Sequence, residues 1–425
     1  MKAIINARLY DYVNYHELGY MIYDERIHEI GPMNQFKYNM ETYDVKGQWV
    51  IPGLINFHTH IYSSLFRGFH FDVSPQSFQE LLEKIWWKYD DSLKLEDIGM
   101  ACGAYCFESL RSGVTAIVDH HASGEIKGSL NVIRNVLKGH FGMKGMFSFE
   151  TSDRYHVPDC LDENRDAVQL GDGILGLHAS MSLSDETLSA CSEEFGQGPI
   201  HVHLAESDED EADAMDQYGI TATERFHKHG LLNKGSILAH CVHINEKEAQ
   251  LISQQGAIVA LNPSSNMNNA VGISNLSLMK KWNIPVVVGT DGLGANIAKE
   301  WLNVYFLNKL RDQNSNGIPL DSMGQDLVSS YELFNHLSGS QIGLFKEGYD
   351  ADFMVVDYKS ATPVTKDNVF AHIFFGIFDS LRPRDVFVQG NKKIKNYEPT
   401  IVFDFNEELV KGFWKRIGGK NEIKS

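Results

Sequence analysis

His58 and His60 stand two residues apart in "PGLINFHTHIYSSLFRGF", directly behind an apolar run that ends at Phe57. On a β-strand, residues i and i+2 share a face. Both imidazoles therefore point the same way, with Thr59 turned to the other side. Two neutral imidazoles on one face make half a site for Zn2+ or Fe2+; taken alone they are equally a pair of histidines bonded to nearby carbonyls. Other segments change the balance. "HVHLAES" carries His201, His203 and Glu206, "LAHCVH" carries His240 and His243, and "VVVGTDG" sets Asp291 behind an entirely apolar run. A carboxylate at the end of a buried strand is costly without a partner. A catalytic metal takes three or four protein ligands and keeps a position open for water. These segments supply that number if their ends meet.

The elements that would bring them together alternate along the middle of the chain. Strand-like runs ("VTAIVDHH", "KGMFSFETSD", "GILGLHAS", "PIHVHLAE", "SILAHCVH", "AIVALNPSSN", "PVVVGTDG") are separated by amphipathic stretches such as "LEDIGMACGAYCFESLRSG". Repeated βα units imply a parallel sheet, and about eight of them imply a (β/α)8 TIM barrel, whose active site sits at the C-terminal ends of its strands. A doubly wound open sheet is the alternative, but no GxGxxG loop follows an early strand. Both chain ends have another texture: short alternating segments with turn residues, "KAIINARLY" and "LGYMIYD" near the start, "ADFMVVDY" and "VFVQG" near the finish. The expected organisation is a barrel over residues 51–346, flanked by segments 1–50 and 347–425. Those segments would join in a small β-sandwich domain, the second ending in a terminal helix.

The chain carries 56 acidic against 38 basic residues, a formal charge of −18. Nucleic acid and anionic membrane surfaces would repel it on average, so the expected partner is a small-molecule substrate. The five cysteines form no CxxC pair and read as reduced thiols. The first residues lack the apolar core of a signal peptide, and no apolar run reaches the ~18 residues of a membrane span. A cytoplasmic location is expected.

The motifs "VIPGLINFHTH", "HVHLAES", "LAHCVH", "NPSSN", "GTDG" and "GYDADFMVVD" resemble the amidohydrolase superfamily over almost the whole chain, in its single-metal deaminase and chlorohydrolase (ATZ/TRZ-like) group. "IWWKYDDSL", "DHHAS", "FETSDR" and "SNMNNAVG" are similar to its SsnA-type aminohydrolases. The resemblance implies that His58, His60, His203 and Asp291 hold one divalent metal ion, zinc in the first instance or iron. It gives Glu206 the proton-shuttling role and His240 the orientation of the hydrolytic water or of the tetrahedral centre. His201 shares a strand face with His203; the His-x-x-Glu spacing to Glu206 favours His203. His243 competes with His240; a position directly after the apolar strand favours His240. Two-metal members carry a modified lysine at the fourth strand end, where "GILGLHAS" has His178. One metal is therefore expected. His178, His121, Arg154, Trp86 and Trp87 are candidates for substrate contact, against a surface ion pair for Arg154 and helix packing for the tryptophans. The implied reaction is hydrolytic deamination of an aminated N-heterocycle through a metal-bound hydroxide. The alternatives are chloride or amide cleavage at the same site, or metal binding without catalysis. A homodimer or larger homo-oligomer is implied as well.

Overall fold

The structure, a computed structural model, describes residues 1–70 and 72–418. Five strands open the chain: β1 (Lys2–Tyr10), β2 (Tyr15–Tyr23), β3 (Ile27–Pro32), β4 (Thr42–Asp44) and β5 (Trp49–Pro52). Eight more follow: β6 (Leu54–Thr59), β7 (Val114–His121), β8 (Lys144–Phe149), β9 (Leu175–Leu177), β10 (Ile200–Leu204), β11 (Ile237–His240), β12 (Ile258–Leu261) and β13 (Val286–Val288). Four close the fold: β14 (Phe353–Val356), β15 (Asp385–Val388), β16 (Asn391–Lys395) and β17 (Glu398–Pro399).

β6 to β13 are parallel and every residue in them is buried. Strands buried on both faces must be apolar nearly throughout, which is why these runs do not alternate. β6, β7 and β8 pair in one group and β9 to β13 in another. Parallel bridges Phe147↔Gly173 and Thr151↔Leu177 join β8 to β9, and Thr59↔Asp291 joins the last strand to the first. The ring is thus closed as a (β/α)8 barrel. At the closing seam the Thr290 and Asp291 amides both donate to the His58 carbonyl at 3.0 Å. Gly289 makes this approach feasible: a Cβ there would lie 2.5 Å from the His58 carbonyl oxygen. Asn56 donates to Thr290 Oγ1 at 2.8 Å, and the Tyr105 hydroxyl sits 2.7 Å from Thr59 Oγ1 and 3.1 Å from Thr290 Oγ1. These buried groups satisfy one another and pin the register of β6 against β13.

The chain ends form one nine-stranded sheet, ordered β17-β16-β15-β14-β5-β1-β2-β3, with β4 also on β1. Three strand spacings separate β14 from β2, about 14 Å on a flat sheet. Yet the Tyr23 and Phe353 rings are 5.2 Å apart. The sheet therefore folds over on itself as a sandwich, with Ile4, Met21, Val50, Phe353 and Phe387 in a core of its own.

After β6 the chain runs through a short 3-10 turn (Ile61–Phe66) into helical turns from Phe78 to Asp91, including a wide π turn at Leu82–Trp86. Helix Glu407–Arg416 packs against this segment. Phe413 is buried 5.2 Å from the Tyr89 ring, and the Trp414 indole donates to the Leu65 carbonyl at 2.8 Å. All five cysteines are free and buried. Among the described residues no helix is long and apolar enough to cross a membrane.

Candidate active site

The C-terminal strand ends converge as the periodicity requires. His58 and His60 leave β6 on one face, and His201 and His203 share a face of β10. β11 ends in a left-handed residue, His240 at φ 73°, and Asp291, three residues beyond β13, is left-handed as well, at φ 52°. These uncommon conformations turn both side chains over the barrel mouth. Ala205, at φ 48°, does the same for Glu206. An unbroken strand would send a residue three positions from His203 to the opposite face.

Hydrogen bonds set the tautomers. His60 Nδ1 donates to the His120 carbonyl at 2.6 Å, and His203 Nδ1 to the His178 carbonyl at 3.1 Å. His58 Nδ1 lies 2.8 Å from His201 Nε2, whose Nδ1 lies 3.3 Å from Ser148 Oγ. The Ser148 hydroxyl has the Asp119 carbonyl to donate to, at 3.1 Å. Its oxygen therefore accepts from His201, and His201 accepts from His58. All three histidines are left with an Nε2 lone pair aimed at one point. These atoms and an Asp291 oxygen lie within 4.8 Å of one another. His60 Nε2 is 3.2 Å from His203 Nε2 and 2.9 Å from Asp291 Oδ1, and the buried His58 Nε2 has no hydrogen-bond partner.

Such a set of acceptors calls for a cation, and three imidazoles with one carboxylate are a donor set for zinc or ferrous iron. The groups respond accordingly. Burial pushes His58 down to about 4. Burial would raise Asp291, yet the imidazoles of His58 and His60, 3.5 and 2.9 Å from its Oδ1, hold it well below the usual carboxylate range.

One short helix, Pro263–Asn269, braces the remaining polar groups. Ser265 donates to Asp291 Oδ2, and Asn269 donates to Glu206 Oε1 at 3.2 Å. Ser274 donates to the His240 carbonyl at 2.8 Å and so accepts from Asn266 Nδ2 at 3.2 Å. Asn266 Oδ1 is thereby turned to His240 Nδ1, 2.8 Å away. His240 carries its proton on Nδ1 and presents a bare Nε2, 3.5 Å from Glu206 Oε2. Burial, partly offset by His240, raises the Glu206 carboxyl.

Residues 49–393 match the amidohydrolase family. The chain belongs to that family. Among curated relatives, this amidohydrolase is 29% identical to a 5-methylthioadenosine/S-adenosylhomocysteine deaminase of Halothermothrix orenii over 364 residues, 81% of each chain. It is also 29% identical to a 5'-deoxyadenosine deaminase of Methanococcus maripaludis, over 87% of this chain and 89% of the relative. Its fold matches a zinc-bound adenosine deaminase from Xanthomonas campestris with a TM-score of 0.82 at 18% identity, over 98% of this chain and 97% of the other. An atrazine chlorohydrolase from Arthrobacter aurescens in complex with zinc matches with a TM-score of 0.78 at 18% identity, over 98% of this chain and 100% of the other.

The remaining candidates of this amidohydrolase divide. Trp86, Trp87 and His178 line the pocket above the converging histidines. His121 does not: it follows His120 on β7, so it faces away from the barrel interior and bonds Ser123 at 3.0 Å. Arg154 does not line the pocket either. It lies behind the wall, bonded to Asp90 at 3.2 Å and Glu150 at 3.3 Å, with its guanidinium 4.9 Å from the Trp87 ring. Its ion pairs with Asp90 and Glu150 are buried, and a third, with Asp91, reaches the surface. His201 stands beneath His58, and His243 bonds the Val271 carbonyl at 2.8 Å. Among the wall residues that escaped the sequence reading are Asp90 and Glu150. Glu150 lies within "FETSDR", four positions before Arg154, a spacing that hints at their pairing.

Proposed function

We propose that this amidohydrolase removes ammonia hydrolytically from an aminated nitrogen heterocycle, using one zinc ion held by His58, His60, His203 and Asp291. The observation that carries the reading is the convergence of three Nε2 lone pairs and a carboxylate beside Glu206 and His240. A divalent cation bound there supplies Lewis acidity and lowers the pKa of water. Asp291 would help hold the cation with Oδ1, on the side of His58 and His60, leaving Oδ2, which Ser265 orients, to accept a proton of the attacking water. His240 Nε2 accepts the other O–H and aligns the oxygen lone pair on the carbon. Glu206, its carboxyl raised by burial, holds a proton at Oε2 and passes it to the ring nitrogen beside that carbon. Asp291 then passes the proton it took from water to the departing amine, and Glu206 regains a proton from the tetrahedral hydroxyl as the carbonyl forms and ammonia leaves. Trp86 and Trp87 cover the pocket and keep bulk water out. Relatives named for 5'-deoxyadenosine and 5-methylthioadenosine support 6-aminopurine nucleosides as the first class to test. The SsnA-type motifs support a branch of its own within the family.

The test is ammonia release by zinc-loaded protein from a panel of aminopurines, aminopyrimidines, pterins, aminotriazines and guanidino compounds. Glu206→Gln is the control. Ammonia from the wild type alone is expected. No ammonia at full metal loading, with chloride or amine release from a triazine instead, would replace deamination by the alternative chemistry.

A further inference from the structure

Beside the metal-ligand cluster, one side of a largely apolar pocket carries a group of hydrogen-bond acceptors, Asp90, Glu150 and His178, with His120 buried behind them. His120 Nε2 donates to the Leu177 and His201 carbonyls at 3.1 and 3.2 Å, so its buried Nδ1 is bare and has no partner. That atom faces Glu150 Oε2 at 3.7 Å. Ser182 donates to the Ala179 carbonyl at 3.1 Å and accepts from His178 Nδ1 at 2.6 Å, so His178 Nε2 is bare too. It faces Glu150 Oε1 at 3.9 Å. Asp90 lines the same wall with its side chain 4% exposed, and its Oδ1 is buried without a partner. Among the described residues, no Lys or Arg side chain lines the pocket. Behind the wall, one guanidinium, Arg154, serves three carboxylates, the buried Asp90 and Glu150 and the exposed Asp91. One negative charge is left uncompensated in a buried place, an arrangement that is expensive until a cation meets it.

The structure assigns this wall to a positively charged, hydrogen-bond-donating nitrogen group of the substrate. We propose that Asp90, Glu150 and His178 seat an amidinium or a protonated amino group that adjoins the carbon under attack. Glu150 belongs to the group with His120 and His203 whose nitrogen and oxygen atoms lie within 4.8 Å of one another. The seat therefore adjoins the metal ligands rather than a distant rim. A second metal ion fits it less well: both ring nitrogens of His203 are already engaged, one with the His178 carbonyl and one in the cluster with His60. Burial, offset in part by Arg154, raises Asp90 to about 7, which agrees with a carboxylate that lacks its counter-charge. The inference rests on the deaminase reading and narrows it to heterocycles or amidines bearing a second, cationic nitrogen.

The experiment uses three planar probes of one size and three charges, benzamidinium, benzamide and benzoate, titrated calorimetrically into zinc-loaded protein. Benzamidinium is expected to bind at least ~10-fold tighter than benzamide, with benzoate weakest, because opposite charges attract strongly in a poorly solvated pocket. Glu150→Gln is expected to bring benzamidinium and benzamide to within about threefold, with one zinc per chain retained. Asp90→Asn gives the same reading if Glu150→Gln does not fold. Equal binding of the two in wild type, preference for benzoate, or a second zinc ion displaced by benzamidinium would overturn the assignment. Ammonia release is measured on the same preparation. Ammonia without charge preference removes this inference and keeps the deaminase. Charge preference without ammonia keeps the seat and removes the deaminase.

Discussion

Replacing His201 by Phe deletes one acceptor from a chain of four groups, and its effect follows from their directions. The Asp119 carbonyl accepts from Ser148, Ser148 from His201, and His201 from His58. Without His201 the His58 Nδ1–H is buried with nothing to donate to, a penalty of roughly 1–3 kcal/mol. Loss of a group that orients a metal-bound histidine typically lowers metal affinity ~10–100-fold, or about 1.4–2.8 kcal/mol. The two estimates agree, so the penalty is expected to fall on zinc affinity rather than on the apo fold. The assay is zinc titration against a chromophoric chelator, with thermal melts in excess chelator to follow the metal-free protein. His201→Gln restores an acceptor and should recover part of the affinity. His243→Phe, whose partner is the Val271 carbonyl, should change it by less than about threefold. Wild-type zinc affinity in His201→Phe would refute the chain of donors, and with it the assignment of lone pairs at His58.

Glu206→Gln should retain one zinc ion and lose at least ~100-fold in turnover, since it removes the proton donor and keeps the shape; metal analysis and initial rates on the same sample decide it. Asn266→Leu should free His240 to carry its proton on either nitrogen, read as a mixture of tautomers in nitrogen NMR, where the wild type shows Nδ1–H alone. At Asp172 burial acts to raise the carboxyl, but Arg134 at 2.6 Å and Lys138 at 2.7 Å outweigh it and hold the group low. A depressed carboxylate stabilises fully above its unfolded value near 4 and loses that contribution as pH falls through its folded value. Asp172→Asn should therefore cost about 2–3 kcal/mol in urea melts at pH 7 and much less near pH 3; equal losses at both pH values would exclude the mechanism.

The barrel was legible because fully buried parallel strands leave continuous apolar runs, each ending in a polar cluster. His58, His60, His203, Glu206, His240 and Asp291 stand at such ends, and the structure brings all six together. Neighbours on one strand were harder. His201 and His203 share a face, and only depth in the barrel separates them: His201 lies below His58 while His203 reaches the mouth. His120 and His121 point to opposite sides of β7, and only a register for the whole barrel decides which faces inward. Asp90 left no trace in the sequence, because an acid in a helical stretch reads as a solvated face until Arg154, 64 residues on, is seen beside it. The amide-rich "NPSSNMNNA" reads equally as a pocket wall or a turn-rich loop; it forms a helix from which Ser265 and Asn269 line the pocket and Asn266 reaches His240.

The seam between the first and last barrel strands also dictates when the site can exist. The Thr59 hydroxyl and the Asp291 carbonyl that it meets are 232 residues apart, and closing a loop of that length costs about 5 kcal/mol of chain entropy. Two ligands lie on one side of that seam and a third on the other. A chain emerging from the ribosome can thus fold most of its helices and strands while it holds the metal with only part of its ligand set. With the ligand set proposed above, full-affinity uptake of an ion would be the last event of assembly.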